Sequence, residues 1–178
     1  MLAGLIGLST PLAAQSSWSL GFASTLGSNW EIEAGDVGYV REVSAGPIHY
    51  VWLGARLGSF VNEGAIVGGV QGFVAGGILQ LRTNTTQLAD VGNEGNPAPL
   101  GLDLTLELGA YGSTDYPGGW PQRGGWFGAS LLPGLRFGSN HGNRYSLYLG
   151  PSALFGPVTS VHALFGLRAE FSLARHRR

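Results

Sequence analysis

The chain has 178 residues with no cysteine, no lysine and a single methionine, and only 12% of it is charged. That is about half the roughly 25% usual in soluble domains. The absence of cysteine removes disulfide frameworks, thiolate zinc sites and thiol nucleophiles, and permits an oxidising compartment without requiring one. The absence of lysine rules out a Gly-x-x-x-x-Gly-Lys phosphate loop, and no strand-to-helix Gly-x-Gly-x-x-Gly context appears. All ten basic residues are arginine, the formal net charge is -1, and the one basic block is the final four residues. Such a chain lacks the positive surface that nucleic-acid binding requires. Low charge does not mean disorder here, because 44% of the residues are hydrophobic and 11% aromatic, far more apolar surface than a disordered chain carries. What is abundant is glycine, at 31 residues, and the length suits one domain.

Met1 to Leu12 is apolar and uncharged and runs into the small residues of Pro11 to Gln15. It reads as a cleaved secretory signal over residues 1–15, although no basic residue precedes Arg41. A second apolar run, Gly64 to Leu81, has eighteen residues without a charge and glycines at 64, 68, 72 and 76, as in a small-xxx-small helix face. Six glycines in that run, each costing about 1 kcal/mol in a helix interior, weigh against a membrane helix.

From Ser16 onward the hydrophobic period is two, the pattern of strands with contrasting faces. Trp18, Leu20, Phe22 and Leu26 alternate with Ser19, Gly21, Ala23 and Thr25; Trp30, Ile32 and Ala34 alternate with Glu31, Glu33 and Gly35. The alternation is longest from Leu100 to Tyr111, with four further leucines and Ala110 on one face and Gly101, Asp103, Thr105, Glu107 and Gly109 on the other. Phe127 to Gly138, Arg144 to Phe155 and Val161 to Leu173 repeat the pattern, and Ile48 to Phe60 and Ala65 to Leu81 read as two less regular strands. Eight strands result, separated by Gly, Asn and Pro turns. Thr83 to Pro99 and Ser113 to Gly124 read as long polar connections.

The face opposite the apolar one decides between two architectures. A soluble sandwich, such as a secreted binding module, turns that face to water and fills it with Lys, Glu, Thr and Gln, with lysine guarding its edges. Here it carries glycine, serine and isolated charges. A narrow membrane barrel needs an apolar exterior and an interior of small side chains with a few paired polar ones. Eight strands of about 9 to 11 residues also leave ample chain for loops. The expected fold is therefore an all-β, eight-stranded antiparallel up-and-down transmembrane barrel over residues 16–174, followed by a short basic tail at 175–178.

Tyr145 to Gly156 (YSLYLGPSALFG) and Ala163 to Leu173 (ALFGLRAEFSL) resemble the closing hairpin of small bacterial outer-membrane β-barrel proteins of the eight-stranded type. Gly166, Ala169 and Phe171 loosely match the assembly signal of that family's last strand, whereas the chain continues to Arg178 instead of ending on an aromatic. The resemblance implies a bacterial outer-membrane location, with the lipid bilayer and the outer-membrane assembly machinery as partners.

With the apolar faces outward, the lumen would receive Glu31, Glu33, Asp103, Glu107 and Glu170 together with Arg56, Arg136, Arg144 and Arg168. Buried charges persist when paired, so these residues are expected to form an ion-pair network that plugs the barrel; the alternative is a narrow pore. A lipid-modifying enzyme is the third reading, since Ser160, His162 and Glu170 share one parity. Against it, eight residues of one strand separate His162 from Glu170 by about 26 Å, and the His-x-Ser order of lipid A deacylases is reversed. No catalytic, cofactor or metal site is assigned, because the four histidines lack ligand spacing. Binding residues concentrate instead in one loop, where Tyr116, Trp120 and Arg123 are of the types common at recognition hot spots. That loop is expected to meet a protein partner or lipid headgroups, giving a structural or loop-mediated binding role without turnover.

Overall fold

The computed structural model describes residues 16–26, 30–62, 70–91, 98–114, 124–138, 143–156 and 159–172. The expected signal segment 1–15, the loop residues Tyr116, Trp120 and Arg123, and the tail 175–178 lie outside them. The described residues form strands β1 (Ser16–Leu26), β2 (Trp30–Ala45), β3 (Ile48–Asn62), β4 (Val70–Thr83), β5 (Thr86–Val91), β6 (Ala98–Ser113), β7 (Gly124–Gly138), β8 (Arg144–Phe155) and β9 (Ser160–Ser172). Every neighbouring pair is antiparallel. The sheet closes on itself through β4–β6, and β1 pairs with β9, so eight strands make an up-and-down barrel. A two-layer sandwich is thereby excluded. Gly64 to Leu81 is not helical over its described part, which is β4; the glycines that would weaken a helix lie in a strand.

The ninth strand is a correction to the expected loop at Thr83–Pro99. β4 pairs with Thr105–Ser113 of β6, and after a break at Asn84 and Thr85 the chain resumes as β5 along Ala98–Leu102 of the same strand. β4 and β5 are thus two pieces of one long strand that follows β6. All of β5 is exposed, so no burial periodicity marks it in the sequence; backbone pairing with β6 carries it. The break is shaped by local polar bonds. Thr85 N donates to Asn84 Oδ1 at 3.0 Å, and Leu104 N donates to Thr83 Oγ1 at 3.0 Å.

One end of the barrel, the termini end, holds the start of β1, the end of β9 and the connections β2–β3, β4–β5 and β7–β8. The β5–β6 connection extends beyond this same end, and the other, the loop end, receives the connections β1–β2, β3–β4, β6–β7 and β8–β9. Gly46 closes the β2–β3 turn at φ 63° and Gly138 ends β7 at φ 120°, backbone regions that glycine enters without penalty.

Outward and inward faces alternate along every strand except β5. Trp18, Leu20 and Phe22 on β1, Leu53 and Leu57 on β3, Leu102, Leu104 and Leu106 on β6, Leu131 on β7, Leu149 on β8 and Leu167 on β9 are all exposed. The interior instead holds Asp36, Arg56, Gln80, Arg82, Glu107, Arg136, Arg168 and Glu170, all buried. Charged residues thus collect inside, where a water-soluble domain turns them to the surface. Lumenal aromatics fit because glycines face them. A Cβ at Gly38 or Gly54 would sit 2.4 Å from the Trp52 ring, and one at Gly166 would sit 2.2 Å from the Tyr148 ring.

Candidate functional site

The lumen is filled in layers. At the loop end, Phe60, Val74, Trp126 and Leu154 form a buried apolar cluster against which Ile32 and Tyr111 pack. Trp126 Nε1 donates to Ser113 Oγ at 2.9 Å, which satisfies the indole inside that cluster. Beneath it a void of about 20 Å³ touches Ala23, Thr25 and Ser130, close to the size of one water molecule.

The middle layer is built around Arg56. Its Nε and Nη2 donate to the two oxygens of Asp36 at 2.7 and 2.9 Å. Its Nη1 and Nη2 donate to Glu107 at 2.8 and 3.2 Å, and Nη1 also reaches Tyr111 Oη at 3.2 Å. One guanidinium thereby serves two carboxylates in the bidentate geometry its planar fork allows. Gln80 extends the network, donating to Glu107 at 2.5 Å and accepting from Arg168. Arg168 lies 3.5 Å from Asp36 and stacks over Trp52 at 4.4 Å. Cross-strand register explains the pairing of Asp36 with Arg56: they are directly opposite across β2–β3, the position where opposite charges stabilise a sheet.

The third layer lies at the termini end. Glu170 accepts from Arg82 at 2.6 Å and from Arg136 at 3.0 Å, and Asp103 lies 3.9 Å from Arg82. The Tyr50 ring sits among three guanidiniums, with Arg82 and Arg136 each 4.8 Å and Arg144 5.9 Å from its centroid, within cation–π range. Arg136 also donates to Thr85 Oγ1 at 3.1 Å, which ties the β4–β5 break to β7. A cavity of about 370 Å³ opens at this end, walled by Tyr50, Asn84, Thr85, Arg136 and Arg144 among others.

Seven of the nine residues expected in the lumen are there: Arg56, Asp103, Glu107, Arg136, Arg144, Arg168 and Glu170. Glu31 and Glu33 are not. Glu33 is exposed, and Glu31, half-buried, shares its strand parity. The error follows from assigning Ile32 and Ala34 to the outer face, when both pack inward and bring Asp36 into the lumen with them. Asp36, Arg82 and the bridging Gln80 are the members that sequence reasoning missed. Their signal was available: Asp36 alternates with the apolar Val37 and Tyr39, and Gln80 and Arg82 share one parity of β4. The corrected lumen faces five arginines toward four carboxylates, where five acids against four bases were expected.

The Ser160–His162 pair is also placed. His162 is buried with Nε2 2.7 Å from Ser160 Oγ, toward the loop end. Glu170 is held by two arginines at the opposite end of the same strand, so the three residues do not form a relay. Among the described residues no three His, Asp or Glu side chains gather in a metal-binding group.

Comparison with protein-family models, with curated proteins and with solved structures found no match to this chain. The class of molecule therefore rests on the barrel and its lumen alone.

Proposed function

We propose that this protein is an integral β-barrel of a bacterial outer membrane whose lumen is plugged by ion pairs, and that it acts by association at its loops and not by turnover. The observation that carries the proposal is the inverted distribution of side chains. Leucine, phenylalanine and valine side chains cover the outside, with Leu53 65% and Leu57 64% exposed, while Glu170 and Glu107 are 1% and 2% exposed inside. A continuous apolar exterior around a closed sheet suits hydrocarbon, where every backbone group must be paired within the protein. Outward aromatic pairs such as Trp18–Tyr39 and Phe137–Tyr145, with ring centroids 5.7 and 5.4 Å apart, lie toward the termini end, where an interfacial girdle belongs. The layered filling supports a closed barrel over a narrow pore: an apolar cluster and two layers of bonded charge lie across the axis in series.

The test is folding into detergent micelles followed by electrophoresis of unheated and boiled samples. A folded-form mobility shift with a β-rich far-ultraviolet spectrum is expected. A chain that stays folded and monodisperse in buffer without detergent refutes the membrane assignment.

A further inference from the structure

We infer that the cavity at the termini end binds a small phosphate-bearing anion, a function separate from the plugging role of the deeper lumen. The cavity holds about 370 Å³, within the range of small-molecule sites. Apolar side chains and bonded charges close the lumen above it, so a ligand enters from this end alone. Two of its walls present arginines from neighbouring strands, Arg136 at the end of β7 and Arg144 at the start of β8. Both guanidiniums lie within 6 Å of the Tyr50 ring, and Arg136 is further held by Glu170 and Thr85. The site is thus pre-organised before any ligand arrives, which lowers the ordering cost of binding. Planar guanidiniums with several donors each are the groups that recognise phosphate oxygens. Asn84 and Thr85 line the same space with neutral groups suited to hydroxyls on the body of the ligand.

Glu42 stands on the rim of the cavity and is exposed. It opposes an anion, and this gives the proposal a sharp sign. For a phosphate-bearing ligand, Glu42→Gln must tighten binding; for a zwitterion that uses Glu42 to hold an ammonium group, it must weaken it. Because the ligand chemistry concerns the cavity and not the exterior, the inference stands or falls independently of the membrane assignment.

Isothermal titration calorimetry of the folded full-length protein provides the test, with inorganic phosphate and glycerol 3-phosphate as soluble probes and detergent micelles containing phosphatidylglycerol as a second arm. Saturable binding of the soluble probes is expected, weakened about tenfold by Arg144→Gln, the loss of one charge-assisted contact, and strengthened by Glu42→Gln. Binding confined to phosphatidylglycerol, with the same response to both variants, supports the phosphate site and makes its source a lipid headgroup. No binding of any probe at millimolar concentration, or a weakening by Glu42→Gln, overturns the inference. If Arg144→Gln does not fold, Glu42→Gln, on the exposed rim, decides the matter alone.

Discussion

Glu170→Gln is the most demanding perturbation of the lumenal network. The carboxylate is 1% exposed and accepts from Arg82 at 2.6 Å and Arg136 at 3.0 Å. Glutamine keeps the volume and one acceptor, but it removes the charge that offsets two buried guanidiniums, leaving Asp103, 3.9 Å from Arg82, as their nearest remaining counter-ion. Breaking a buried pair from one side costs about 3–5 kcal/mol, because the surviving charge stays desolvated. Here two cations survive, so the upper half of that range is expected. The assay is reversible unfolding in urea from detergent or lipid, following the folded band and tryptophan fluorescence. Glu33→Gln on the outside of β2 is the control, expected within about 0.5 kcal/mol of wild type. A loss below about 1 kcal/mol for Glu170→Gln, with Glu33→Gln unchanged, would show that the lumen is hydrated enough to screen its charges, and the plug would have to be abandoned.

Further outcomes follow from the same geometry. Gly166→Val places a side chain where the Tyr148 ring lies, 2.2 Å from the new Cβ, and is expected to cost about 1–3 kcal/mol or prevent folding, read as loss of the heat-sensitive gel shift. Leu57→Arg on the outer face of β3 is expected to cost about 2–4 kcal/mol in a bilayer; tolerance of the substitution in lipid vesicles would contradict a lipid-facing surface. Planar-bilayer recordings of the wild type are expected to show no steady single-channel current. Replacing residues 115–123 with a Gly-Ser linker is expected to preserve the barrel while abolishing co-purification of any loop-bound partner; a partner that survives the replacement binds elsewhere.

Much of the barrel was legible because outward-facing and lumen-facing positions differ in chemistry along most strands. On β6 to β9 the faces alternate, and the charged residues read as inward there, Asp103, Glu107, Arg136, Arg144, Arg168 and Glu170, do face the lumen, whereas the inward Trp126, Leu132, Leu154 and Leu164 were not read. The failures have separate local causes. On β2 the lumen is apolar near the loop end, where Ile32 meets Phe60 and Trp126, so the rule of apolar residues outward inverts locally and carries Glu31 and Glu33 to the wrong side. Along β4, glycine occupies both faces, and only Gln80 and Arg82 mark the inner one. β5 lacks any buried face, so its strand character comes from backbone pairing with β6, a long-range property that local pattern does not encode. The site depends on register across several strands, which no single-strand pattern contains: Arg56 on β3 reaches Glu107 on β6 over the intervening β4, and Arg82 on β4 reaches Glu170 on β9 across the barrel.

The seam between β1 and β9 has a kinetic consequence. It pairs Ser17 with Ser172 and Leu26 with Ala163, segments from opposite ends of the chain, whereas most other pairings join strands adjacent in sequence. Hairpins can therefore form locally and early, but ring closure carries the largest loop entropy and waits until the last strand has been synthesised. Until that moment β1 offers an unsatisfied edge under a surface of exposed leucine and tryptophan, the combination most prone to aggregation. The barrel gains its persistence from closure itself, because opening the seam disrupts an entire strand's worth of hydrogen bonds.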